Sequence, residues 1–113
     1  MANYYKNAFY DPNTSTAITV YSCPSNSRAI IQNIQLANAA GSTIVQVYIS
    51  SAISNISTQV SYASISGPTT CNLANGPIIL QESDSISIAS SNISSISGII
   101  SILEMNRNDA NGP

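Results

Sequence analysis

The sequence predicts an all-β fold, an antiparallel β-sandwich or jelly-roll-like single domain of about seven to eight strands. Three observations support this class. Apolar and polar residues alternate along most of the chain, as they do when successive side chains face opposite sides of a sheet. Gly, Pro, Asn and Ser separate the alternating segments about every ten residues. The length of 113 residues fits one domain.

Seven segments carry the alternation. The predicted strands span residues 16–22, 28–38, 42–50, 57–65, 78–80, 85–90 and 94–104. Segment 42–50 is the clearest, and we expect its Val45, Val47 and Ile49 to face the core. In the later strands the expected core residues are Ile86, Ile88, Ile96, Ile100 and Ile102. Ile99 and Leu103 fall on the opposite face, so both faces of the last strand are expected to be covered.

Two intermediate segments are less regular. In 28–38, Ile30, Ile34 and Leu36 are expected to share a face interrupted by Gln32. Gly67 and Pro68 then end the fourth segment, and a loop containing Cys71 follows. A β-solenoid is the competing architecture, but no fixed period runs along the whole chain as stacked repeats require.

The two ends differ in character from the body. We divide the chain into an N-terminal aromatic arm (1–13), a β-sandwich domain (14–105) and a polar C-terminal tail (106–113). The arm holds most of the aromatic side chains: Tyr4, Tyr5, Phe9 and Tyr10. These residues either close one edge of the core or form a protein interface, because Tyr offers large amphipathic contact area at low entropic cost. The sequence makes them the candidate interface residues.

Charge is scarce, at 7% of residues, against about 25% in an average soluble domain. Such a surface has little electrostatic repulsion between copies, which favours self-association. Three basic residues, Lys6, Arg28 and Arg107, cannot neutralise the several phosphates that nucleic-acid binding requires. No segment is long and apolar enough to cross a bilayer, and the N-terminus lacks the pattern of a signal peptide. We therefore expect no nucleic-acid or membrane partner.

The residues of enzyme sites are missing. The chain has no histidine, so serine or cysteine nucleophiles lack their usual general base. Glu82 and Asp84 are the only close carboxylate pair, and their setting between two predicted strands favours a solvated turn. Cys23 and Cys71 are too few to hold zinc and, without a secretory signal, are expected to be reduced in preference to forming a disulfide. We predict a non-enzymatic protein without a cofactor.

The order of segments resembles that of small virion proteins of tailed bacteriophages, marine and cyanobacterial ones in particular. In those proteins Thr-x-x-x-Val-Tyr-x-x-Pro leads into an Ala-Ile-Val strand, and a Leu-x-x-Gly-Asp-x-Ile corner precedes a final Ser-x-Leu-Glu strand. The matching residues here are Val20-Tyr21, Cys23-Pro24, Ala29-Ile30-Ile31, Ala37-Asn38, Leu80, Asp84, Ile86 and Leu103-Glu104. Ser83 replaces the glycine, which would strain or rebuild the corner if its φ is positive.

The resemblance implies a structural role in a virion that is assembled in the host cytoplasm. We expect a capsid decoration or cement protein that forms a homo-oligomer, such as a trimer, and binds the major capsid protein or other virion proteins. A neck, baseplate or tail-fibre adaptor is the alternative, and a carbohydrate-binding module of a tail is a further one. The absence of tryptophan weakens the last, because sugar sites favour large exposed aromatic faces.

Overall fold

The computed structural model describes residues 2–74 and 76–106, and within them the secondary structure is entirely β. The strands are β1 (Ala2–Tyr10), β2 (Ile18–Ser22), β3 (Ser27–Asn38), β4 (Ser42–Ser51), β5 (Ile56–Ser66), β6 (Thr69–Asn72), β7 (Ile78–Leu80), β8 (Ser85–Ser90) and β9 (Ile96–Asn106). In these residues no helix is long and apolar enough to span a bilayer.

The strands form two antiparallel sheets. In the first sheet the order is β1-β9-β3-β6, with β7 also paired to β3, and in the second it is β2-β8-β4-β5. Strands β6 and β7 pair with successive parts of β3, so together they occupy one position. Two antiparallel sheets of four positions in this strand order, with most connections crossing from one sheet to the other, constitute a jelly roll. The predicted fold class is confirmed.

The core lies between the sheets and consists mainly of isoleucine and valine. The inward residues predicted for the later strands, Ile86, Ile88, Ile96, Ile100 and Ile102, are buried. Val45 and Val47 of β4 are also fully buried, and Ile49 packs partly buried against them. Period-two alternation therefore identified the inward face of these strands correctly.

A β-bulge corrects the expectation for β3. The register of β3 against β9 shifts between Ile31 and Asn33, so Gln32 is an additional residue. One extra residue reverses the faces of a strand, and for this reason Ile31 is buried before the bulge and Ile34 after it. Ile30 was expected to face the core together with Ile34. It lies instead on the outer face of the first sheet.

The segment that contains Cys71 is a strand, where a loop was expected. Strand β6 pairs with the end of β3, with Cys71 opposite Leu36. A cis peptide bond joins Gly67 to Pro68 just before it. A Cβ at Gly67 would lie 2.8 Å from the Asn38 carbonyl oxygen, so only glycine fits this close approach. The thiols of both cysteines are free, that of Cys23 being buried.

The N-terminal residues belong to the sandwich. Strand β1 pairs with β9 along its whole length, from Ala2 opposite Asn106 to Tyr10 opposite Gly98. Residues 2–10 therefore do not form an arm separate from a domain at 14–105, and β1 supplies one edge of the first sheet. Of the tail expected at 106–113, Asn106 ends β9, and the remainder lies outside the described residues.

Candidate interaction surfaces

The aromatic residues of β1 divide between its two faces. Tyr5 and Phe9 point away from the core, with 81% and 70% of their side chains exposed. Tyr4 lies on the alternate positions that face inward, at the open edge of the sheet, where it remains 46% exposed. Strand alternation thus presents two large aromatic side chains on the outer surface, four residues apart.

Tyr10 is part of the core. Its side chain is 1% exposed, and its hydroxyl lies 2.6 Å from the Ser90 hydroxyl of β8 in the opposite sheet. Burial raises the pKa of the Tyr10 phenol, and this hydrogen bond opposes the rise. Tyr10, one of the four predicted interface residues, is therefore buried and connects the two sheets inside the domain.

An apolar row crosses the outer face of the first sheet. Tyr5 of β1 is paired with Leu103 of β9, Leu103 with Ile30 of β3, and Ile30 with Ile79 of β7. We call these four residues the outer row. Ile79 is 65% exposed, whereas Leu103 and Ile30 are half-buried between their neighbours. The bulge in β3 makes Ile30 the residue of this strand that faces outward opposite Leu103.

A second apolar site lies on the same face, four residues further along β1. Phe9 is paired with Ile99, which is in turn paired with Gln35. The two sites are about 13 Å apart at a rise of about 3.4 Å per residue. An open groove of ≈ 490 Å³ next to Phe9 is also lined by Ser97 and Asp11. The face therefore offers separate apolar contacts, with polar residues between them, to another protein surface.

A buried carboxylate ties this sheet to the other. Glu104 is 2% exposed, accepts a 2.5 Å hydrogen bond from the Tyr21 hydroxyl, and lies 3.0 Å from the Lys6 ammonium. Burial and the neighbouring Glu104 raise the pKa of Tyr21, and burial above all raises that of Cys23. Both groups are thus protonated near neutral pH, and a thiol held in this form is a poor nucleophile. The cluster is a cross-link between sheets.

The carboxylate pair noted in the sequence, Glu82 and Asp84, lies in a turn between β7 and β8. Asp84 accepts hydrogen bonds from the backbone amides of Ala52 and Gln81, each at 3.1 Å, while Glu82 lies 3.6 Å from Arg28. The two carboxylates therefore serve different partners. In residues 2–74 and 76–106, no three acidic or cysteine side chains form a metal-binding group. Ser83 has a φ of 68°, the strained value anticipated where the resembled proteins have glycine.

The sequence reasoning missed a second exposed apolar surface, on the β4–β5 hairpin. We call it the hairpin flank, and its residues are Ile44, Ile53, Ile56, Val60 and Tyr62. The signal that could have found it is the distribution of charge. No charged residue occurs between Ala29 and Gln81, a stretch that includes the entire hairpin. The ion pairs of Lys6 and Arg28 lie elsewhere, on the first sheet and its loops.

No protein family and no curated protein matches the sequence. Among solved structures, the chain is similar to a protein of Bacillus endospore appendages, which are described as a family of disulfide-linked pili. The TM-score is 0.57 at 12% identity, covering 93% of this chain and 87% of that one. It is also similar to a chain of infectious bursal disease virus, Gx strain, with a TM-score of 0.53 at 13% identity.

The viral match spans 91% of this chain but only 29% of the viral chain. The present chain is therefore similar to less than a third of the viral protein. At these identities the two likenesses establish a shared β-sandwich fold. They agree with the all-β architecture described above, and function has to be argued from the surfaces of this chain.

Proposed function

We propose that this chain is a non-enzymatic structural protein of a virion, most specifically a capsid decoration or cement protein of a tailed bacteriophage. It acts by binding neighbouring protein subunits. Tyr5 and Phe9 are its main contact residues, with Tyr4 at the adjoining sheet edge. The single observation that carries the proposal is the outer row, an exposed line of apolar side chains across four strands of one sheet.

The chemistry of this face supports protein binding. Exposed aromatic side chains contribute much of the binding energy at interfaces, particularly where charged residues are few. Arg28 is the one charged side chain among the described strand residues of the outer face, and it is paired with Glu82. A sheet face with one strand charge and only an open groove suits a second protein surface better than it suits a small molecule, which needs a more enclosed pocket.

The fold likenesses are compatible with this role, since both neighbours belong to assemblies made of protein subunits, a pilus and a virus. The sequence resemblance to phage virion proteins adds the phage context. Self-association and assembly of the virion in the host cytoplasm follow as parts of the same proposal.

Particle retention tests the contact residues. Tyr5→Ser combined with Phe9→Ser removes both aromatic side chains of the outer face without touching the core, and we expect the variant to be lost from purified particles. Ile53→Ser is the matched control, because Ile53 is 83% exposed but lies at the tip of the β4–β5 hairpin. Equal occupancy of the double variant and the unmodified protein would contradict the assignment.

Copy number per particle tests the location. A decoration protein repeats over the whole shell, so it should be present in a number of copies comparable to that of the major capsid protein. About a dozen copies would favour the neck, baseplate or tail-fibre alternative. Quantitative mass spectrometry against the major capsid protein distinguishes these results.

A further inference from the structure

We propose that the free edge of β5 pairs antiparallel with β5 of a second copy of this chain. The four-stranded sheets of the two copies then continue into one sheet across a twofold axis. The inference concerns a surface separate from the outer row and does not depend on the virion role.

The first observation is the open edge itself. Strand β5 is the last strand of its sheet, and β4 is its only strand partner among the described residues. It is 11 residues long, and its first half is exposed on both faces. At its C-terminal end, the Ile65 carbonyl accepts a hydrogen bond from the Asn38 side chain, 3.1 Å away. The unpaired part of the edge therefore lies upstream of Ile65.

The second observation is the lack of protection at this edge. Soluble proteins usually keep edge strands from pairing with charged side chains, proline or short length. Strand β5 has no charged residue and no proline, and it is the longest edge strand. Its one protective feature is a bulge at Val60. Val60 has no partner on β4, because Ser61 pairs with Val47 and Gln59 pairs with the next residue, Tyr48. In contrast, the edge strand β1 carries Lys6 and contacts β2.

The occupant follows from the chemistry of the edge. Unpaired backbone amide and carbonyl groups accept another β-strand, which forms a ladder of hydrogen bonds. A partner that recognises charge finds none between Ala29 and Gln81. A second β5 is equally neutral, so self-pairing places no like charges opposite each other. Twofold symmetry makes two copies of one strand antiparallel, and such isologous dimers are the commonest homo-oligomers.

Tyr62 strengthens this match. Its side chain is paired with Gln46 of β4 and stands on the outer face of the sheet, 60% exposed. A twofold axis through the middle of β5 brings Tyr62 close to Tyr62 or Val60 of the second copy. Aromatic pairs and pairs of aromatic with β-branched residues are favourable cross-strand contacts. The pairing thus covers two exposed apolar side chains of the hairpin flank.

Sedimentation of the purified full chain tests the proposal. We expect a dimer in rapid equilibrium with monomer, and we expect Val60→Lys or Tyr62→Lys to raise the dissociation constant at least about tenfold, because like charges meet across the axis. Ile53→Lys adds the same charge at the hairpin tip, outside β5, and should leave the dimer intact. Val60→Thr keeps a neutral β-branched residue and should also dimerise.

Cysteine cross-linking tests the geometry even where a lysine variant folds poorly. In a Cys71→Ser background, single cysteines are placed along β5 at Ile56, Gln59, Ser61, Tyr62 and Ser66. Opposed residues of antiparallel strands have Cα atoms about 5 Å apart, within the range of a disulfide. We expect disulfide dimers only for one or two adjacent positions from Gln59 to Tyr62, and none for Ile56 or Ser66.

Several results would overturn the proposal. A wild-type chain that sediments only as a monomer would do so, as would a trimer, which has no twofold axis. Lysine variants that still dimerise, or cross-links strongest at Ile56, would place the contact elsewhere. The outcome is independent of particle retention, because Tyr5→Ser with Phe9→Ser should dimerise normally in solution.

Discussion

The Tyr21 hydroxyl provides the sharpest test of how the two sheets are held together. Tyr21→Phe removes one oxygen, and with it the 2.5 Å hydrogen bond to the Glu104 carboxylate. The ring stays in place, so the change leaves no large cavity. Glu104 keeps Lys6 as its partner, but Lys6 is 46% exposed and so compensates only weakly.

The expected loss follows from the kind of hydrogen bond. Hydrogen bonds to charged groups contribute about 1.5–3 kcal/mol to stability. The loss is larger when the acceptor that remains is buried, because water cannot replace the missing donor. We therefore expect the free energy of unfolding to fall by about 2 kcal/mol. For a domain of this size, that corresponds to a decrease of roughly 6–12 °C in melting temperature.

Chemical denaturation monitored by circular dichroism measures this change. Tyr48→Phe is the matched control, because Tyr48 is half-buried on β4 and its hydroxyl makes no hydrogen bond within the described residues. We expect the control to change stability by no more than about 0.5 kcal/mol. If both variants lose the same amount, the Tyr21–Glu104 contact does not stabilise the sandwich and the reasoning is refuted.

Two further predictions concern titration and backbone strain. Folding raises the pKa values of Cys23 and Tyr21 above their ordinary 9.0 and 10.0. Above these values the unfolded chain has fewer bound protons than the folded one, so stability should be complete below pH 9 and fall as the pH rises past 10. Denaturation midpoints at pH 8 and 11 check this, and Tyr21→Phe should show a shallower fall. Separately, Ser83→Gly should raise stability by up to about 1 kcal/mol, since Ser83 has a φ of 68°. A lower melting temperature for this variant would argue against strain at the corner.

The sequence predicted the fold through its most regular strands. In β4 and β8 each apolar residue at alternating positions faced the core, because a regular strand keeps one face inward over its whole length. The prediction failed where the backbone departs from that regularity. Gln32 adds one residue to β3 and reverses its faces, and its mark in the sequence is a polar residue on the expected apolar face, which does not by itself distinguish a bulge from a regular strand.

The candidate interface was predictable in part. Tyr5 and Phe9 are exposed as an interface residue must be, and their spacing of four puts them on the same face of a strand. Tyr10 has the opposite parity, which the alternation of β1 fixes as inward. If residues 2–10 had been predicted as a strand, its alternation would have put Tyr10 on the opposite face from Tyr5 and Phe9. The sequence prediction used aromatic composition alone, and it therefore grouped all four residues as interface candidates.

The outer row depends on pairing between distant segments. Its four residues come from β1, β3, β7 and β9, and no local pattern connects Tyr5 with Ile79. The bulge decides which isoleucine of β3 belongs to the row. Without the extra residue, the register that pairs Ile34 with Ile100 would place Ile31 opposite Leu103 and turn Ile30 inward. The irregularity that defeated the sequence prediction therefore determines which β3 side chain lies on the surface on which the proposed function depends.

The two proposed contacts use different parts of the domain and different physical forces. Side chains of the outer row bind through apolar area on the face of the first sheet, whereas β5 binds through backbone hydrogen bonds at the edge of the second. Because the surfaces do not share a strand, a copy engaged at β5 still presents Tyr5 and Phe9. Pairing at β5 would then give each dimer two outer rows, and two linked contacts hold a repetitive surface more tightly than one. We infer that a protein with so few charges uses its sheets, both face and edge, as its means of assembly.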